Sequence, residues 1–159
     1  MAREFLKPIY RDVYGDEFNQ ACFESRMEMQ KLVYVLQEAG VTIGDYDFLW
    51  YKHGPYSQEL QNDILTIFNV PNVELRYSSD ASLIINRVKE VFAEKTVYSR
   101  SCWVECIASL QYLKSSRLSL DSSDEVIVDY LMKVKTHLNN RELNIHALNR
   151  LKYIMGQCV

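Results

Sequence analysis

The sequence predicts a predominantly α-helical protein with one small two-stranded antiparallel sheet, its N-terminal half resembling a degenerate winged helix. Three observations carry this. Apolar residues recur at helical spacing over most of the 159 residues. Two short stretches, 45–51 and 73–77, alternate instead with the period of a strand. Between these stretches the chain is punctuated by Gly, Pro, Ser and Asn residues that suit caps and turns.

Residues 1–16, with Pro8, Tyr10, Tyr14 and Gly15, read as a loose lead-in holding a short helix at best. From about Glu17 the pattern turns helical through Ala39, with Met27, Leu32, Val35 and Leu36 near one face, and Gly40 is placed for a left-handed C-cap. Tyr46, Phe48 and Trp50 then alternate with Asp47 and Leu49, an aromatic strand with those three facing inward. His53-Gly54-Pro55-Tyr56-Ser57 stops it, because Pro55 cannot donate to a ladder and Gly54 allows a positive φ. Ser57 is a good N-cap and Glu59 suits the first turn of a helix over 58–68, which buries Leu60, Ile64, Leu65, Ile67 and Phe68. A turn cluster at 69–72 leads to the strand 73–77, expected to pair with 45–51. Ser78-Ser79-Asp80 caps a helix over 81–95.

The rest is helical. Ser99 or Ser101 opens a helix over 102–113, with Trp103, Cys106, Ile107 and Leu110 at helical spacing. Residues 115–120 break it, 121–124 are rich in capping residues, and Val126, Ile127, Tyr130, Leu131, Val134 and Leu138 carry the next helix. Asn139-Asn140 ends that one, and Leu143, Leu148, Leu151 and Ile154 line the last. The organisation expected is a helix–strand–helix–strand–helix unit over 1–97 and a helical unit over 98–159 packed on it, in one compact domain.

Composition narrows function. A net charge of −3 and a pI near 5.6 argue against a broad nucleic-acid surface. No run approaches the about 18 apolar residues needed to cross a bilayer. Cys22, Cys102, Cys106 and Cys158 show no disulfide framework and read as reduced thiols of a cytoplasmic protein. The 11 tyrosines favour amphipathic surfaces or buried rings with a polar tip.

Several motifs together carry a family resemblance. KLVY at 31–34, Gly40, the aromatic strand ending in Trp50-Tyr51, and HGPYS followed by Leu60 resemble the YwgA-like family of bacterial and archaeal proteins. In the second half W-x-x-x-x-A-S-L-x-Y-L at 103–113, K-x-H at 135–137, and Ala147 with Leu151 extend the likeness. The K-L-x-Y helix with Trp50, Gly54 and Pro55 is more distantly similar to Panacea-type (SocA-like) antitoxin domains, with one extra residue between the tryptophan and the Gly-Pro. This resemblance implies a non-catalytic, antitoxin-like or adaptor-like module of mobile-element or phage origin that recognises another protein. Lys31, Tyr34, His53, Tyr56 and Ser57 are the recognition residues it implies, and Tyr51 joins them by expected exposure.

The chemical alternatives are thin. His53 beside Gly54-Pro55 serves either as a ligand contact or general base, or as a ring bonded to the turn backbone, and no partner nucleophile is marked. Ser57 lacks a nucleophile elbow and is explained as a cap. Cys102 and Cys106 share a helix face with apolar neighbours and read as small buried hydrophobes, so no metal and no cofactor is expected. A winged-helix regulator would read DNA with helix 58–68, whose outward residues include Glu59 and Asp63 but no Lys or Arg, which disfavours DNA. No catalytic residue and no membrane contact is expected, and a homodimer stays open.

Overall fold

The computed structural model describes residues 3–67, 70, 73–117 and 122–156. The turn expected at 69–72 (Val70 apart), the break at 118–120, Asp121, Phe68 and Cys158 lie outside the described residues. In order come α1 (Arg3–Tyr14), α2 (Phe23–Glu38), β1 (Leu49–Tyr51), β2 (Gly54–Tyr56), α3 (Gln58–Thr66), α4 (Ser79–Phe92), α5 (Arg100–Tyr112), α6 (Asp124–Val134) and α7 (Arg141–Ile154). A π-helical turn, Leu113–Arg117, continues α5. The fold is mainly α with one two-stranded antiparallel sheet. Among the described residues no helix is long and apolar enough to span a membrane.

One apolar cluster runs through both halves of the chain, from Leu6 on α1 to Ile154 on α7. At its centre α2 and α5 lie side by side, pointing the same way. Glu28 meets Arg100 near their N-terminal ends, and Glu38 meets Gln111 near their C-terminal ends. Trp103, fully buried, donates its indole N–H to the Val91 carbonyl and so ties α5 to α4. The capping chemistry follows the sequence. Ser57, Ser78, Ser99, Ser123 and Asn140 each accept a backbone N–H three residues on. Gly40 takes φ +101° behind α2, and its N–H and that of Val41 reach back to Gln37 and Leu36.

Three expectations are corrected. The lead-in is a 12-residue helix, because Leu6, Ile9, Tyr10 and Val13 follow i, i+3, i+4, i+7 spacing and bury against the core. Pro8 inside it removes one donor without ending it. The helix beginning near Glu17 starts instead at Phe23. Finally, the strand over 45–51 shortens to 49–51 and pairs with 54–56, not with 73–77. The turn between is two residues long, so its closure costs far less entropy than a long excursion. Residues 73–78 stay outside the sheet, and Tyr77 there donates to Asp12 of α1 at 2.5 Å.

Candidate functional site

The ribbon that was expected to end at Gly54-Pro55 turns there and comes back. Tyr51 pairs with Gly54, Trp50 with Pro55 and Leu49 with Tyr56, around the turn residues Lys52 and His53. Among the described residues no side-chain-bearing residue has a positive φ, and Gly54 sits at +88°. A left-handed glycine closing a hairpin loop is the bulged arrangement that fits the strands' right-handed twist. Pro55 is tolerated because each strand of a two-stranded sheet has a free edge. A Cβ on Gly54 would lie 2.5 Å from Ser109 Oγ on α5, so the turn rests directly on that helix.

Two glutamines of α2 hold the ends of this segment as a neighbouring strand would. Gln37 accepts from the Tyr46 N–H at 3.1 Å and donates to its carbonyl at 2.8 Å. Gln30 does the same to Ser57, with both bonds at 2.9 Å. Two lysines then hold the middle. Lys31, 1 % exposed, donates Nζ to the Pro55 carbonyl at 2.9 Å. Lys135 donates to the carbonyls of Tyr51, at 2.7 Å, and of Lys52, and lies 4.8 Å above the Trp50 ring.

Such cations need a counter-charge once buried, and Glu105 of α5 supplies it. Its carboxylate is 2 % exposed and accepts from His137 Nε2 at 2.9 and 3.1 Å, while His53 Nδ1 stands 3.8 Å away. Desolvation pulls the Lys31 ammonium down to about 7, with Glu105 opposing the shift and Lys135 adding to it. Burial lowers Lys135 as well, again opposed by Glu105. The hairpin is thus fixed from beneath by a cluster of one carboxylate, two lysines and two imidazoles.

Above this scaffold lies a groove of about 460 Å³ between α2, the hairpin tip and α3. Its apolar contacts are Phe23, Met27, Tyr51 and Tyr56, and Arg26, Lys31, Lys52 and the His53 imidazole supply its polar wall. Phe23 is half exposed and sits edge-on to His53 with centroids 5.2 Å apart. Tyr51 is 57 % exposed and leans on Tyr56 at 5.0 Å.

The six residues expected for recognition therefore divide. Lys31, Tyr51, His53 and Tyr56 meet at the groove, although Lys31 is spent on the Pro55 carbonyl beneath it. Ser57 is buried as the α3 cap, its Oγ accepting from Leu60 N at 3.2 Å. Tyr34 lies elsewhere, buried against Phe48 and Tyr112, with its hydroxyl pushed up by desolvation and by Glu38. Cys106 is buried and Cys102 partly so, and among the described residues no cluster of His, Cys, Asp and Glu could hold a metal.

Glu105, Lys135, Phe23 and Lys52 were missed by sequence reasoning. Glu105 carried a usable signal. The stretch Trp103–Leu110 is apolar nearly all round, which marks a helix buried on every side, so its single carboxylate has to be paired. Lys52 carried none, since exposure at a hairpin tip depends on the pairing partner, and Phe23 carried none, since it opens α2 and only tertiary packing decides which side of that residue is covered. No protein-family model, curated protein or solved structure matches the chain.

Proposed function

We propose that this chain is a non-catalytic protein-interaction module, antitoxin-like or adaptor-like, that docks its partner on the hairpin groove. The observation that carries the reading is the contrast between a fixed backbone and displayed rings. Every carbonyl and amide clamp on 46–57 points inward, yet Tyr51 on the hairpin and Phe23 at the start of α2 stay exposed. Rigid aromatic side chains on a preorganised backbone give contact area at small entropic cost, which is how interface hot spots work. The likeness of KLVY and the Gly-Pro corner to Panacea-type domains points the same way.

A second reading has one observation behind it: the His53 imidazole faces Glu105 at the wall of a groove, half of a general-base arrangement. Ser57, the hydroxyl of the same turn, is buried in its cap and is not free to serve as its nucleophile. The DNA reading gains nothing from α3, which exposes Glu59, commits Asp63 to the Tyr46 hydroxyl and carries neither Lys nor Arg.

The test is a photoreactive amino acid placed at Tyr51 or, as a control outside the groove, at Val97, which is 82 % exposed. In lysate of the source cells, the position-51 protein is expected to give a discrete protein adduct that the position-97 protein does not. Equal adducts at both positions, or none at either, contradict docking on the groove. Turnover of any substrate that disappears in His53→Ala while the fold survives contradicts the non-catalytic reading.

A further inference from the structure

Resting on the docking reading above, we infer that the groove takes an acidic protein segment in which one large apolar side chain is flanked by carboxylates. The first observation is charge. The chain carries 21 Asp and Glu against 18 Lys and Arg. Even so, none of the described residues lining the groove is Asp or Glu, while Arg26, Lys31, Lys52 and His53 all contribute to it. Glu105 lies beneath the floor and is taken up by His137 and the clamp lysines. The lining itself thus presents Arg26 and Lys52 with no carboxylate between them, a local field opposite to the net charge that selects an anionic partner.

The second observation is how those cations are held. Lys31 is fixed under the floor by the Pro55 carbonyl with its charge set against Glu105, so the cations left for a partner are Arg26 and Lys52. Arg26 spends one Nη on the Gln20 carbonyl at 2.7 Å, leaving other N–H groups of its fork to donate. Lys52 is exposed at the turn, and its ammonium enters no ion pair among the described residues. One cation thus comes from α2 and one from the hairpin tip, with Met27, Phe23, Tyr51 and Tyr56 providing the apolar surface. That order, anion, apolar anchor, anion, is what a short acidic segment can match.

Size and surroundings favour protein over nucleic acid. A volume of about 460 Å³ holds one large side chain and its immediate neighbours, not a run of stacked bases. A phosphate chain leaving the groove along α3 would pass Glu59, with no Lys or Arg on that helix to follow it. A peptide can confine its charge to the groove.

The experiment uses the full chain and a fluorescein-labelled peptide with Asp and Glu on both sides of one Trp, read by polarisation. Three competitors accompany it: the same peptide with Asn and Gln, the same peptide with Ser for Trp, and a short oligo-dT. Saturable binding is expected, with both altered peptides at least about tenfold weaker and oligo-dT inactive. Lys52→Glu is expected to weaken binding about tenfold or more at unchanged melting temperature, and about 0.5 M salt to weaken it similarly. Equal binding of the Asn/Gln peptide, tighter binding of oligo-dT, or no saturation at millimolar protein overturns the inference. If the peptide fails while a photoreactive group at position 51 still captures a protein, the docking site stands and only the occupant's chemistry is wrong. Failure of both removes both.

Discussion

Two buried carboxylates face one another's helices along the α2–α5 seam, and they are satisfied in opposite ways. Glu28 takes a fork from Arg100, with Nε at 2.7 Å and Nη2 at 3.2 Å, and the Tyr10 hydroxyl donates to it at 3.0 Å. Its donors keep their protons throughout the neutral range. Burial raises the Tyr10 hydroxyl to about 12, and hydrogen bonds to Glu28 push the Arg100 guanidinium further up. Glu105, by contrast, is surrounded by Lys31, Lys135, His53 and His137, and Lys31 titrates at about 7. The first site is a permanent rivet between α1, α2 and α5. The second is a rivet whose charge changes near neutrality, set directly under the groove. Where a partner is to be gripped or released, it is the second kind of site that can respond.

The largest expected effect separates the two. Glu28→Ala should cost about 2–4 kcal/mol, because the Tyr10 hydroxyl and the part-exposed Arg100 fork lose their shared acceptor while Arg100 keeps Asp16, and the loss should be the same at pH 6 and pH 9. Glu105→Ala should cost a similar amount at pH 6. Its cost should then fall as pH rises, because Glu105 helps the native wild type hold the Lys31 proton that the variant gives up at lower pH, and both proteins have shed it by pH 9. Urea unfolding at the two pH values reads this directly. Parallel losses would erase the distinction.

Gly54→Ala is next, with a loss of at least about 2 kcal/mol, since a left-handed alanine is strained and its Cβ would meet Ser109 Oγ. Thermal melting measures it. Lys31→Met should lose about 1–3 kcal/mol at pH 9.5 by leaving the Pro55 carbonyl without a donor. The sign with pH is opposite to that of Glu105→Ala. Unfolded lysine keeps its proton to about 10.4, whereas native Lys31 loses it at about 7, so wild-type stability rises with pH in that window and the variant's does not. The penalty of Lys31→Met should therefore shrink towards pH 6. Smallest is Ser109→Ala, within about 1 kcal/mol in either direction, because that buried hydroxyl has no hydrogen-bond partner among the described residues. A large loss there would mean that the hydroxyl, and not merely the space beside Gly54, holds the turn.

What could be read in the sequence follows from how local each signal is. Helices announced by apolar spacing, and caps such as Ser57, Ser78 and Ser99, depend on residues within one or two turns and were legible. The aromatic alternation at 46–50 was legible as buried-side patterning, with Tyr46 buried and Phe48 and Trp50 packed on the core. The choice of pairing partner was not, because 54–56 contains Gly and Pro and looks like a stop, whereas 73–77 looks like a strand. At the site, Tyr51, His53 and Tyr56 could be singled out from the corner motif. The Glu105 cluster could not be assembled, since its members stand at positions 31, 53, 105, 135 and 137 and meet only through tertiary packing.

The docking claim is tested most directly by carrying a photoreactive group at position 51 in the wild type and in a Phe23→Ser, Tyr56→Ser double variant. Phe23 is exposed and Tyr56 only half-buried, so the melting temperature should change little. Adduct yield should fall about tenfold or more as the apolar anchor surface is lost. Undiminished yield from a folded double variant would contradict the groove as the place where this protein meets its partner.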